Sequence, residues 1–343
     1  MTLKVKAPLA WLGPGELVRH AAVVAEGGTI TYAGPSAAAP TADEVIELEG
    51  FVMPGVADRH THILLADPGA VLLGGVTAVR DLAWAPEEIF PLADASELPS
   101  YTGPLIRAVG PMLTAPGGYP VGDEWAPPGT ARELQGPEDA HVVVAELASL
   151  GATAIKVSLN AVAGPTPSDA ELAAIVEAAH GRDLLVTAHV EGAGQAERAV
   201  GAGIDEFAHA PWTERMPDLL LQAAARSMRM ISTLDILSYG EVTPELRTAC
   251  DNLVRFRAAG GSVVYGTDLG NGPIPPGIHV REALLLHEAV RMTPEEVLGA
   301  MTAGRLTKGA PADLIGLRED PFDRIEALAN VLLVVRAGRV VST

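Results

Sequence analysis

Residues 184–211 read LLVTAHVEGAGQAERAVGAGIDEFAHAP. A short apolar run stops at His189, a helix-forming stretch follows over 192–202, and a second short run, DEFAHAP, ends around His209. Compact apolar runs between glycine signals read as buried strands. Strand, helix, strand is the repeating unit of a parallel sheet, because a parallel neighbour is reached only through a crossover connection. The unit leaves both histidines at the same end of that sheet.

Six further runs repeat the pattern: GVADRHTHI (55–63), VTAVRDLA (76–83), PLIRAVG (104–110), TAIKVSL (153–159), RMISTL (229–234) and SVVYGTD (262–268). Helical stretches follow most of them, over 138–150, 168–181, 215–227, 243–259 and 279–291. Ser168 with Glu171, and Thr293 with Glu296, have the spacing of capping boxes. Eight strands alternating with helices over about 250 residues predict an α/β protein, a (β/α)8 TIM-like barrel. The two ends of the chain differ in texture. TLKVK, HAAVVAEG, GTITYAG and DEVIELEG lie before residue 52, and ADLIGL, NVLLVVRAG and RVVST lie after 305. The expected organisation is a barrel at 53–304 and a small β-sandwich domain built from both chain termini, 1–52 and 305–343.

The chain has 343 residues, 48% of them hydrophobic, and a net charge of −19. That excludes a disordered chain and argues against nucleic acid or an anionic membrane surface as partner. No run of apolar residues is long enough for a membrane span, and MTLKVKAPLAWLGPGELV at the start lacks the apolar segment of a signal peptide. The single cysteine, Cys250, reads as a helix-packing residue and fits a reducing, cytoplasmic setting. A small-molecule substrate is the expected partner, and a homo-oligomer is compatible with this composition.

Barrel enzymes work at the face where their strands end. His60 and His62 close the first predicted strand, Lys156 sits in the fourth, His189 and His209 end the fifth and sixth, and Asp268 ends the eighth. Side chains two apart on a strand share a side, so the H-x-H pair can serve one ion. Lys156 is conspicuous, since only four lysines occur and this one lies in an apolar strand where a charge is costly. Nitrogen and oxygen donors without sulfur suit zinc or a related divalent ion. After the third strand, residues 111–137 form a connection too long for a compact fold unless it is functional. Tyr119 and Trp125 within it, and His279 beyond the eighth strand, are candidate substrate-binding residues, with Arg132 the main basic group of the loops. Asp58 and Asp81 are candidates for supporting the histidine pair. His20, His141, His180 and His287 read as solvent-facing.

GFVMPGVADRHTH (50–62), GGVTAVRDL, GATAIKV, VTAHVEGAGQAERAVGAGIDEFAHAP, GTDLG and the tail GAPADLIGLREDPF resemble the amidohydrolase superfamily over nearly the whole chain, and its imidazolonepropionase-like and Xaa-Pro dipeptidase-like branch most. The resemblance implies cleavage of an amide or cyclic amide C–N bond by a metal-activated hydroxide. It implies two divalent ions, zinc by donor type: His60, His62 and Asp268 on one, His189 and His209 on the other. Lys156, carbamylated by CO2, would bridge them, with Asp268 as the catalytic proton carrier. Three other readings stand beside this one: a mononuclear deaminase or cyclic amidine hydrolase that leaves the lysine unused, a lactonase using the same site, and a non-catalytic scaffold. The chain departs from these relatives in the short link MTAGRLTKGAPADLIGL (301–317) and in its modest length.

Overall fold

The computed structural model describes residues 1–342. The N-terminal strands are β1 (Thr2–Gly13), β2 (Glu16–Glu26), β3 (Thr29–Pro35), β4 (Glu44–Glu47) and β5 (Phe51–Pro54). A run of parallel strands follows: β6 (Val56–Thr61), β7 (Val76–Asp81), β8 (Leu105–Ala108), β9 (Met112–Thr114), β10 (Ala131–Glu133), β11 (Ala154–Asn160), β12 (Leu185–Glu191), β13 (Glu206–Phe207), β14 (Arg229–Ile231) and β15 (Ser262–Val264). The chain finishes with β16 (Leu314–Leu317), β17 (Val331–Arg336) and β18 (Arg339–Ser342); the last residue of the RVVST run, Thr343, lies outside the described residues.

All eight runs predicted for the barrel contain strands. They form two parallel sheets, β6-β7-β8 and β10-β9-β11-β12-β13-β14-β15. Segment 105–114 belongs to both, since β8 pairs with β7 and β9 pairs with β11. At the other seam the Arg59 amide donates to Tyr265, the Asp268 amide to His60 and the His62 amide to Leu269, at 3.1, 2.8 and 2.7 Å. The body is therefore α/β and TIM-barrel-like. Inside it Leu82, Val109, Ala154, Ala208 and Ile231 form a small apolar plug, while a larger core fills the space between strands and helices. Both predicted capping boxes are present, Ser168 with Glu171 and Thr293 with Glu296.

The terminal strands depart from expectation. Instead of a sandwich of two sheets, hydrogen bonding runs through one eight-stranded sheet, β18-β17-β16-β5-β1-β2-β3 with β4 also on β1. The sheet curls back on itself: the amides of Ile30 and Gly309 each donate to the other segment, to Ala310 and Ile30 at 2.8 Å. Leu3, Val5, Val23, Leu314 and Val335 share the core this curl encloses. Long β1, twelve residues, supplies both β4 and β5 with an edge, so one strand does what two sheets were expected to do.

Cys250 is buried in the helix Pro244–Ala258 as expected, and burial pushes its thiol up to about 12. Among the described residues no helix is long and apolar enough to cross a membrane.

Glu206 opens β13 and is fully buried, paired with Arg80 and Arg229. Burial raises its carboxyl, but the two guanidinium groups outweigh that and hold it below the usual 4.5. A depressed carboxylate contributes stability that is present above its unfolded pKa and is lost as pH falls through its folded one. Glu206→Ala leaves Arg80 buried without a partner, and breaking a buried pair in this way costs about 3–5 kcal/mol. Urea unfolding at pH 7 is expected to show that loss. The gap between wild type and variant is expected to shrink on acidification below 4.5.

Candidate active site

His60 and His62 leave the end of β6 on one side of the strand. The His60 Nδ1–H donates to the Ala208 carbonyl at 2.8 Å, and the His62 Nδ1–H to the Ala83 carbonyl at 3.2 Å. A carbonyl only accepts, so each ring carries its proton on Nδ1 and presents a lone pair at Nε2. Both Nε2 atoms face Asp268 Oδ1, at 3.2 and 3.3 Å. Two imidazole lone pairs thus meet a carboxylate oxygen with no donor shared between ring and carboxylate, an arrangement that a cation satisfies. Their ligand atoms lie within 4.8 Å of one another, close enough to share one ion.

The local backbone is built for this. Asp268 has φ of +60°, a left-handed state that aspartate and asparagine enter more readily than other non-glycine residues, and its amide is tied to the His60 carbonyl. Asn271 donates to Asp268 Oδ1 at 3.0 Å. Asp58 accepts from the hydroxyl of Thr267 and from the amides of Thr267 and His60; burial raises its carboxyl to about 7. Asp81, raised by burial to about 6, accepts from the amides of Ile63 and Ala83. It therefore steadies His62 through the backbone on both sides of the ring and makes no ion pair with an arginine among the described residues.

His189 lies in β12 and His209 follows β13, and their rings meet edge to face with centroids 4.9 Å apart. His209 Nδ1 lies 2.9 Å from the Thr233 hydroxyl. His189 Nε2 lies 3.3 Å from Glu191, which itself accepts from Asn160 at 2.7 Å. Burial, followed by neighbouring positive groups, pushes His60 and His209 well below 6.5; burial also lowers His189, against the opposing pull of Glu191. These rings are neutral at neutral pH, the form in which imidazole binds metal.

Lys156 lies in β11 with no exposure at all. Its Nζ has no hydrogen-bond partner among the described residues. Burial lowers the amine to about 7, against the pull of Asp268. An orphaned, half-neutral amine on the wall of a polar cavity is a poor structural element, and most buried polar groups find partners.

All six predicted ligand residues line one cavity of about 350 Å³, together with Tyr119 and Trp125. Trp125 packs on His62 and Tyr119 on His189, with ring centroids 4.5 and 5.1 Å apart. The long connection that carries them is not structureless: β9 and β10 pair within it. Sequence reasoning missed Trp212, Tyr239 and Asn271 on the same wall; their signal was only a position just after a predicted strand end. His279 is not in this cavity. It caps the helix Val280–Glu288 and bonds Asp235 at 2.7 Å beside a neighbouring hollow, because the chain turns away between Asn271 and Ile278. Arg132 is also elsewhere, held by Asp139 at 2.8 Å. His20, His141 and His180 are exposed, whereas His287 is half-buried and bonds the Met292 carbonyl.

The fold and this mouth together define a TIM-barrel-like protein with a metal-binding type of site at its strand ends, and comparison with known proteins gives the family. The model of the Amidohydrolase family matches residues 51–341, and the chain belongs to that family. An imidazolonepropionase of Caulobacter vibrioides is 45% identical over 69 residues, 18% of this chain and 17% of that protein, so the chain matches less than a fifth of that relative. A. niger ochratoxinase superposes with a TM-score of 0.84 at 22% identity, over 99% of this chain and 95% of the other. A Xaa-Pro dipeptidase solved with methionine in its active site gives 0.83 at 20% identity, over 99% of both chains.

Proposed function

We propose that this protein hydrolyses an uncharged or singly charged amide or cyclic amide at a centre of two divalent ions, zinc by the chemistry of the donors. His60, His62 and Asp268 would hold one ion, His189 and His209 the other, and Lys156 as a carbamate would join them. The observation that carries this reading is the orphaned Nζ of Lys156. Only the neutral amine adds CO2, and burial supplies it near pH 7. The donors fit: His60 and His62 turn lone pairs inward, and with His189 Nε2 engaged by Glu191, Nδ1 is the nitrogen left for an ion. Bound ions of this kind lower the pKa of water toward neutrality and polarise a carbonyl. Asp268 accepts the proton of the attacking water and delivers it to the departing nitrogen. The body is taken as a closed (β/α)8 barrel, with 1–52 and 305–343 as the sheet domain around 53–304, in the cytoplasm.

The wall sets the substrate class. Tyr119, Trp125 and Trp212 give it apolar area, and no arginine lines it. With Arg132 committed to Asp139 and Lys156 carrying a carbamate, the wall keeps no side-chain cation for a strongly anionic substrate. A lactone would suit the same geometry. The tight His60–His62–Asp268 group favours one other reading, a mononuclear deaminase or cyclic amidine hydrolase.

Activity of the zinc-loaded protein against dipeptides, cyclic imides, cyclic amidines and lactones tests the class. Turnover of the amidines alone would contradict the proposal. Aromatic contacts contribute about 0.5–1.5 kcal/mol beyond their buried area. Trp125→Ala and Tyr119→Ala are therefore expected to raise KM by up to about tenfold and to alter substrate preference while metal content stays constant. Unchanged kinetics across those substrates would remove the loop from the site.

A further inference from the structure

A second cavity, of about 190 Å³, lies at the other end of the parallel strands. Leu185 opens β12, Arg229 opens β14 and Thr153 directly precedes β11, so their cavity is at the strand starts, away from the histidine mouth. Four arginines line it: Arg59, Arg80, Arg107 and Arg229. In a chain with 24 basic and 43 acidic residues this concentration of positive charge is out of keeping with the rest.

The nearby acids do not balance it. Glu206 serves both Arg80 and Arg229. Glu97 pairs with Arg107 at the surface, where both side chains are about half exposed. Asp58 also lines the cavity, with its oxygens bonded to the Thr267 hydroxyl and the amides of Thr267 and His60. Arg59 is half-buried, donates to the Thr302 carbonyl at 3.1 Å and has no ion-pair partner among the described residues. Arg229 spends only Nε on Glu206, which leaves its other nitrogens for a ligand. Guanidinium forks match a tetrahedral oxyanion two oxygens at a time.

We propose that this floor cavity binds a small phosphate-type dianion, either free phosphate or the phosphoryl group of a small metabolite. Its volume is below the about 300–1,000 Å³ of pockets for drug-sized ligands, which excludes a nucleotide. The bound anion offsets the repulsion among the arginines and stabilises the fold by linkage.

The test is calorimetric and thermal titration of the metal-loaded protein with inorganic phosphate, methyl phosphate and acetate at constant ionic strength. Saturable binding with a rise in Tm is expected for phosphate and methyl phosphate. The tighter of the two identifies the source of the phosphoryl group. Arg59→Gln and Arg107→Glu are each expected to raise Kd at least about tenfold, the loss of roughly one charge-assisted contact. Arg107 is about half exposed, so Arg107→Glu stays informative if Arg59→Gln does not fold. Absence of saturable phosphate binding overturns the proposal, as does equal binding of acetate. Unchanged phosphate affinity in a folded variant also overturns it, because the anion would then sit at the metal mouth.

Discussion

Asp268→Asn is expected to lower kcat by about 10²–10⁴-fold, the contribution of a positioned general acid–base group, with the fold intact. Asparagine is a fair probe because it tolerates the left-handed backbone that residue 268 adopts at φ +60°. Its side-chain oxygen can keep the place of Oδ1 between His60, His62 and Asn271. What it loses is the negative charge and the capacity to take up a proton. Circular dichroism and unfolding should therefore match wild type while turnover nearly vanishes. Retention of more than about a tenth of the activity would place the proton carrier elsewhere, since even a weak general base contributes more than that.

Lys156→Ala is expected to remove at least one metal ion per chain and to reduce activity by about 10²-fold or more. Changing a residue that merely supports a ligand already costs about 10–100-fold. Acetate or propionate added with zinc should restore part of the activity, because a free carboxylate can enter the vacated bridge. Lys156→Met separates packing from chemistry. It fills the volume of a fully buried side chain and removes a polar atom that has no hydrogen-bond partner. Leaving such an atom unpaired costs about 1–3 kcal/mol, so metal-free Lys156→Met should be at least as stable as metal-free wild type. A large loss of stability in that variant would mean that the lysine is held by the fold, not kept for the site. Carbon-13 NMR after labelled bicarbonate should show a carbamate signal in wild type and none in either variant.

Much of the body was legible because hydrophobic period and length distinguish short buried strands from amphipathic helices. All eight runs contain strands, and the six residues singled out in them line one cavity. Direction along a parallel strand is fixed by chain order, so a residue at a strand end could be assigned to the mouth without coordinates. The sheet domain was harder. The terminal runs revealed strands, but whether strands divide into two sheets or curl in one depends on how far a long strand such as β1 extends its edge. His279 was misplaced for a related reason: a loop of proline and glycine can turn either way after a strand, and here it turned toward Asp235. Trp212 and Tyr239 were missed because an aromatic residue in a loop carries no periodic signal. Thr233 supports His209 from a position with φ of +42°, a backbone state that is rare for a β-branched residue.

The central claim is a two-ion centre joined through Lys156, and metal stoichiometry tests it most directly. Protein produced with added zinc, freed of loosely bound metal and analysed by elemental mass spectrometry, should hold about two ions per chain at full activity, as a bridged hydrolytic centre requires. A reproducible ratio of about one at full activity would contradict the claim and leave a mononuclear enzyme built on His60, His62 and Asp268.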